Sequence, residues 1–202
     1  MSIGRKVRQV ENLFNRLEKE ITAFKTASKL HCVQGCGLCC AKPDIEALPL
    51  EFLPWAYQVY LNKQSDHILE ELRLEQSSLC YLYRPLALVD KSSGHCTNYH
   101  YRGLICRLFG FSANRDKLGQ LRLVTCKTIK EEKQEEFKAA TESINKDLAV
   151  PVLTDYYTKL TQIDMKLGST LMPVNKAMRT ALEAVMAYYS YRPFPKRQKR
   201  IA

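Results

Sequence analysis

Apolar side chains recur at steps of three and four at the start of the chain, at Val7, Val10, Phe14, Leu17, Ile21 and Phe24, with charged residues between them. That period places them on one stripe of an α-helix over residues 5–29. After Lys42-Pro43-Asp44, Pro49 followed by Glu51 marks a second helix start. This helix runs to about residue 62 and carries Phe52, Leu53, Trp55, Ala56, Val59 and Tyr60. A shorter helix over 65–76 presents Ile68, Leu69, Leu72 and Leu74. Between 78 and 126 the helical period fades, and Gly94, Gly103, Gly110 and Gly119 stand beside aromatic and β-branched residues. Short strands are expected there, near 86–90, 108–113 and 120–125, with Lys117-Leu118-Gly119-Gln120 turning the last two into a hairpin. Three helices close the chain, near 127–147, 154–168 and 173–190. The last starts at Pro173 and aligns Val174, Met178, Ala181, Leu182, Val185 and Tyr189 on one face.

The pattern predicts a mainly α single domain around a small, irregular centre with short strands. Its parts are an N-terminal amphipathic helix (1–30), a core (31–130), C-terminal helices packed on that core (131–190) and a basic tail (191–202) expected to lack fixed structure. The length of 202 residues suits one domain with its own apolar core. The formal charge is +10, but residues 192–202 hold five cations and no anion, which leaves the body at about +5. No apolar run approaches the roughly 18 residues of a membrane span, and the basic N-terminus leads into a charged amphipathic segment rather than a signal-type apolar stretch. The expectation is a cytoplasmic protein that makes no use of a membrane.

Eight cysteines change this picture: Cys32, Cys36, Cys39, Cys40, Cys80, Cys96, Cys106 and Cys126. Four of them fall in the run Cys32-x3-Cys36-x2-Cys39-Cys40, short enough for the sulfurs to converge. In a reducing compartment such a cluster binds a soft metal as thiolates, in preference to forming disulfides or serving as incidental buried thiols. A vicinal bridge between Cys39 and Cys40 would also distort the intervening peptide. Adjacent side chains diverge by roughly 100° in a helix and lie on opposite sides of a strand. Cys39 and Cys40 therefore suit two different sites, and eight sulfurs divide into two sets of four, the ligand count of a closed zinc site or an iron–sulfur cluster. One site with spare thiols is the alternative. The first three cysteines also have the spacing of radical-SAM enzymes, but the strand–helix repeats and the glycine-rich segment of such enzymes are missing.

Other residues near the thiols have weaker claims. His31 and His95 each adjoin a cysteine and His100 lies between two, but all three suit loop or surface roles better than ligation, and His67 lies on a predicted helix away from them. Asp44 suits a cap or surface role better than an oxygen ligand. Arg84, Arg102 and Arg107 can offset the charge of a four-thiolate site, about −2, through N–H···S contacts.

The ordered set Cys32-x3-Cys36-x2-Cys39-Cys40, Cys80, and Cys96-x2-Tyr99-x2-Arg102-Gly103-x2-Cys106-Arg107 resembles the YkgJ-type cysteine cluster family, described as a zinc- or iron-chelating domain. The second motif of that family reads C-x2-Y-x2-R-P-x2-C-R. Gly103 replaces the proline and leaves every sulfur in place. Pro49-Leu50-Glu51 also resembles the family's helix start, and the likeness covers roughly residues 32–130. It implies a metal or cluster held by the eight cysteines, with Tyr99, Arg102 and Arg107 around them, and fixes no activity. A related domain in flagellin lysine methylases makes a methyl-transfer role conceivable, although those proteins are longer.

The leading reading is a cysteine-ligated protein of zinc, iron or an iron–sulfur cluster, acting in redox chemistry, metal handling or protein modification. A cluster-dependent enzyme of the protein-methylase kind is a second reading, with Arg102 or Arg107 holding an anionic substrate. A zinc-stabilised nucleic-acid-binding module is a third, suggested by the charge. The dispersed cations of the body and the core periodicity of the aromatics weigh against it.

Overall fold

The computed structural model describes residues 1–32, 36–86 and 94–195. Helix α1 (Ile3–Ser28) starts at Ser2, whose hydroxyl accepts the Arg5 N–H, and ends where Lys29 turns left-handed at φ 59°. Its apolar stripe, extended by Leu13, is buried along the whole length of about 39 Å. A fully buried leucine such as Leu17 contributes about 2 kcal/mol by leaving water.

The predicted helix over 49–62 divides in two. Residues Pro49–Phe52 form a 3-10 turn, and helix α2 (Leu53–Leu61) follows. Pro54 has no N–H to give the Leu50 carbonyl, so the first turn tightens before α-geometry begins. Helix α3 (Ser65–Leu74) occupies its expected place. Strands β1 (Glu46–Ala47) and β6 (Met172–Pro173) pair antiparallel, Glu46 opposite Pro173, and join residues far apart in sequence.

In the centre, β2 (Tyr83–Pro85) pairs with β3 (Gly94–Cys96), and β4 (Ser112–Arg115) with β5 (Leu121–Val124). The strand expected near 108–113 begins only at Ser112, as β4. Residues Leu104–Leu108 make a short helix, α4, and Gly110 at φ 92° turns the chain into β4. The β4–β5 turn is where the sequence puts it, with Gly119 at φ 78° and the Asp116 N–H donating to the Gln120 carbonyl. Most of the strand expected at 86–90 lies outside the described residues, as do tail residues 196–202. Leu86 itself is exposed and in no strand. The near end of the tail is placed, because Phe194 stacks on Tyr60.

The expected helix over 127–147 is two helices, α5 (Lys127–Glu132) and α6 (Gln134–Ser143), broken at Lys133. The helix over 154–168 is α7 (Leu153–Ile163) and α8 (Met165–Gly168), because Asp164 takes extended backbone and its carboxylate caps α8 by accepting the Leu167 N–H. Helix α9 (Val174–Tyr189) closes the structure. It packs on α2, α3 and the 3-10 turn, while α1 packs on α2, α4, α6 and α7. Among the described residues the result is mainly helical with three two-stranded sheets. Among the described residues, no helix is long and apolar enough to cross a membrane.

Candidate metal centre

The thiols come from five places that the fold brings together. Cys32 follows the end of α1, past the fully buried Leu30. In the next loop the N–H groups of Cys40 and Ala41 both donate to the Gly37 carbonyl, and this tight turn leaves the Cys39 and Cys40 sulfurs 4.0 Å apart. The loop is seated on β3. A Cβ on Gly37 would stand 2.6 Å from the Gly94 nitrogen, so only glycine permits the approach. Gly37→Ala is expected to push the loop off the strand, costing about 2 kcal/mol. The check is denaturant unfolding of the variant, with Gly4→Ala as a comparison whose added Cβ makes only an ordinary contact, 3.9 Å from the Tyr57 hydroxyl.

Cys80 precedes β2 and Cys96 ends β3. Tyr83 faces Cys96 across the ladder, and its N–H donates to the Cys80 carbonyl at 2.8 Å. Cys106 lies within α4. Cys126 is the N-cap of α5, its sulfur accepting the Ile129 N–H at 3.4 Å. None of the eight is bridged, Cys32 and Cys39 are exposed, and the other six are half-buried.

Backbone amides are aimed at several sulfurs: Leu82 and Tyr83 at Cys80, Asn98 at Cys96, and the N–H groups of Cys39 and Cys40 at Cys39. Such contacts favour a thiolate over a thiol. Burial opposes them. It pushes Cys80 up to about 11 and Cys106 up to about 12, and each is raised further by neighbouring sulfurs. Cys32 is pushed up to about 11 by burial, then by Cys36, Cys39 and Cys126. Within the adjacent pair the contact between the two sulfurs lowers Cys39 and raises Cys40. Metal-free, Cys32, Cys40, Cys80, Cys96 and Cys106 are held as thiols, several of which would be repelled by neighbouring sulfurs once ionised. A bound cation removes that conflict.

The arginines are engaged elsewhere. Arg107, 7 % exposed, donates to Glu18 at 2.6 Å and to the carbonyls of His100 and Arg102. Arg102 donates to the same Glu18 oxygen at 2.7 Å and lies 3.9 Å over the Tyr99 ring. Their charge reaches the sulfurs through space, Arg102 favouring ionised Cys96. Arg84 is bound to the carbonyls of Tyr81 and Tyr83 and favours ionised Cys80. His31 approaches the Lys29 carbonyl, His67 approaches Glu71, His95 is exposed on β3, and His100 packs edge-on to Tyr101. Asp44 is exposed and has left-handed backbone at φ 63°.

Two residues outside the predicted site hold it in place. Glu51 is fully buried and accepts the N–H groups of Leu48 at 2.8 Å and Ile105 at 3.1 Å, and its second oxygen sits under Gly103. Tyr157 also bonds it. Glu51 thereby fixes the start of α4, which carries Cys106. The spacing Leu48-x2-Glu51 is that of a glutamate reaching back to the residue ahead of its own helix. Glu18 ties α1 to the segment between Cys96 and Cys106, and its place beside Leu17 at the margin of the apolar stripe is the only trace of that role in the sequence.

Eight unbridged sulfurs of soft donor character suit zinc or iron. Among the described residues, no three His, Cys, Asp or Glu side chains already converge as metal ligands do, so an ion would draw its ligands together. Residues 31–143 match the family described as "Putative zinc- or iron-chelating domain", more than half of the chain. The chain belongs to this family. The matched span begins one residue before Cys32 and takes in all eight cysteines of this member of the CxxCxxCC family. No curated protein and no solved structure matches the chain.

Proposed function

We propose that this CxxCxxCC protein holds zinc or iron, iron–sulfur clusters included, on Cys32, Cys36, Cys39, Cys40, Cys80, Cys96, Cys106 and Cys126. The observation that carries the reading is the gathering of sulfurs from five separate segments into one unbridged, mutually interacting group. A cluster would supply one-electron chemistry, and zinc would supply a rigid crosslink. The chain's own part is to present thiolates: amides at Cys39, Cys80, Cys96 and Cys126 stabilise the ionised sulfurs, and Arg84 and Arg102 offset their charge. With Arg102 and Arg107 spent on Glu18, the role this favours is electron transfer or metal handling, ahead of grip on an anionic substrate.

Anaerobic purification tests this, with iron, zinc, acid-labile sulfide and the visible spectrum measured on one sample. Broad visible absorption with matching iron and sulfide is expected for a cluster, and a colourless protein retaining zinc for a structural site. Protein that holds neither metal, as purified and after anaerobic reconstitution, sinks the reading.

A further inference from the structure

We propose that the eight thiols form two four-sulfur sites meeting at the Cys39–Cys40 step, one made by Cys32, Cys36, Cys39 and Cys126 and the other by Cys40, Cys80, Cys96 and Cys106. The inference rests on the metal-binding reading above and adds the membership of each site.

The fold brings the two sets in from opposite sides of the cysteine loop. On one side, Lys25 near the end of α1 lies 4.0 Å over the Phe111 ring, so the segment leading to Cys32 runs beside the start of β4. Ser112 of β4 faces Val124 of β5, and the Gly110 N–H donates to the Val124 carbonyl, two residues before Cys126. The chain ends that carry Cys32 and Cys126 thus leave the same corner. On the other side, the β2–β3 ladder holds Cys80 and Cys96 together through Tyr83, and Thr97 continues it by donating to the Leu82 carbonyl. One 3-10 turn (Tyr99–Tyr101) leads from Cys96 to α4 and Cys106. The loop between them touches this second side through Gly37 on Gly94.

Through-space interactions divide along the same line. The sulfurs acting on Cys32 are Cys36, Cys39 and Cys126. Beyond its neighbour Cys39, Cys40 feels Cys106 and Cys96, and Cys106 feels Cys80 and Cys96 ahead of Cys39. The two sets meet at the vicinal pair, whose sulfurs are 4.0 Å apart, with Cys39 also acting on Cys106 more weakly than Cys80 and Cys96 do.

The test is an anaerobic titration of the full-length, metal-free protein with Co(II), read by its thiolate charge-transfer and ligand-field bands. Wild-type protein should take two equivalents in four-thiolate sites. Cys80→Ser with Cys96→Ser should keep one such site, as should Cys32→Ser with Cys126→Ser. The mixed pair Cys96→Ser with Cys126→Ser should keep none. Circular dichroism reports whether each variant retains its helices. Where a pair unfolds, a second choice from the same sets carries the comparison: Cys40→Ser with Cys106→Ser and Cys36→Ser with Cys39→Ser should each keep one site, and Cys36→Ser with Cys106→Ser none. A mixed pair that keeps one full site, or a within-set pair that loses both, overturns the division. One equivalent in wild-type protein overturns the two-site arrangement and leaves metal binding standing, whereas no Co(II) binding removes the reading beneath it.

Discussion

Replacing Glu51 by leucine is expected to destabilise the metal-free protein by about 4 kcal/mol. The carboxylate is fully buried and satisfies the N–H groups of Leu48 and Ile105. Leucine would leave both donors dry and unpaired, at about 1–3 kcal/mol each, and the Tyr157 hydroxyl would lose its partner. Urea denaturation measures the loss, and a change below about 1 kcal/mol would show that water replaces the carboxylate.

The same group makes stability depend on pH. Burial pushes Glu51 up to about 7, above its ordinary value of 4.5, against the pull of its hydrogen bonds. A raised carboxyl favours the folded state most fully below the unfolded value, and that contribution is lost as pH rises through the folded one. Wild-type protein should therefore lose on the order of 3 kcal/mol from this site between about pH 4.5 and 7. Glu51→Gln cannot ionise and should lack this slope, so the wild-type-minus-variant difference across that window isolates it from the thiols. A flat difference would mean that Glu51 is ionised throughout.

Glu18→Ala is the second large effect, a loss of about 2–3 kcal/mol. One carboxylate oxygen is shared by Arg107, 7 % exposed, and Arg102, 14 % exposed. The carbonyls of His100 and Arg102 hold the Arg107 guanidinium where it is, so removing Glu18 strands two neighbouring cations with little water. Burial already lowers Arg107, and Arg102 lowers it further, with Glu18 acting against both. The figure sits below that of a fully dry pair because Glu18 is about a third exposed. Denaturant unfolding of Glu18→Ala beside Glu18→Gln measures it. Equal, small losses would show that the arginines find water instead.

The long helices were legible because their signal is repetition. Six of the eight apolar residues buried along α1 are those of its three-four stripe, and the termini differ by one or two residues from the sequence reading. Breaks were legible only where a residue type announces them. Asp164 as a cap and Pro54 as a missing donor can be seen in hindsight, but Lys133 carries no such mark. The irregular centre hid the most. Five residues of α4 are too few to establish a period, and the two-residue pairing of β1 with β6 joins segments that nothing local connects. The thiols themselves were plain, being chemically distinctive wherever they lie. Their supports were not, because Glu51 and Glu18 look like surface carboxylates until the burial around them is known.

The signature of residues 31–143 is shorter than the body that α1 and α9 complete. The apolar face of α2, at the heart of the signature, is covered by helices on either side of it in sequence, and β1 completes its pairing only at residues 172–173. A gene fusion or exchange that carried the cysteine segment alone would deliver eight sulfurs on a scaffold stripped of two walls. Shuffling can therefore move this chemistry between proteins only with the flanking helices, or into a host that offers equivalent ones.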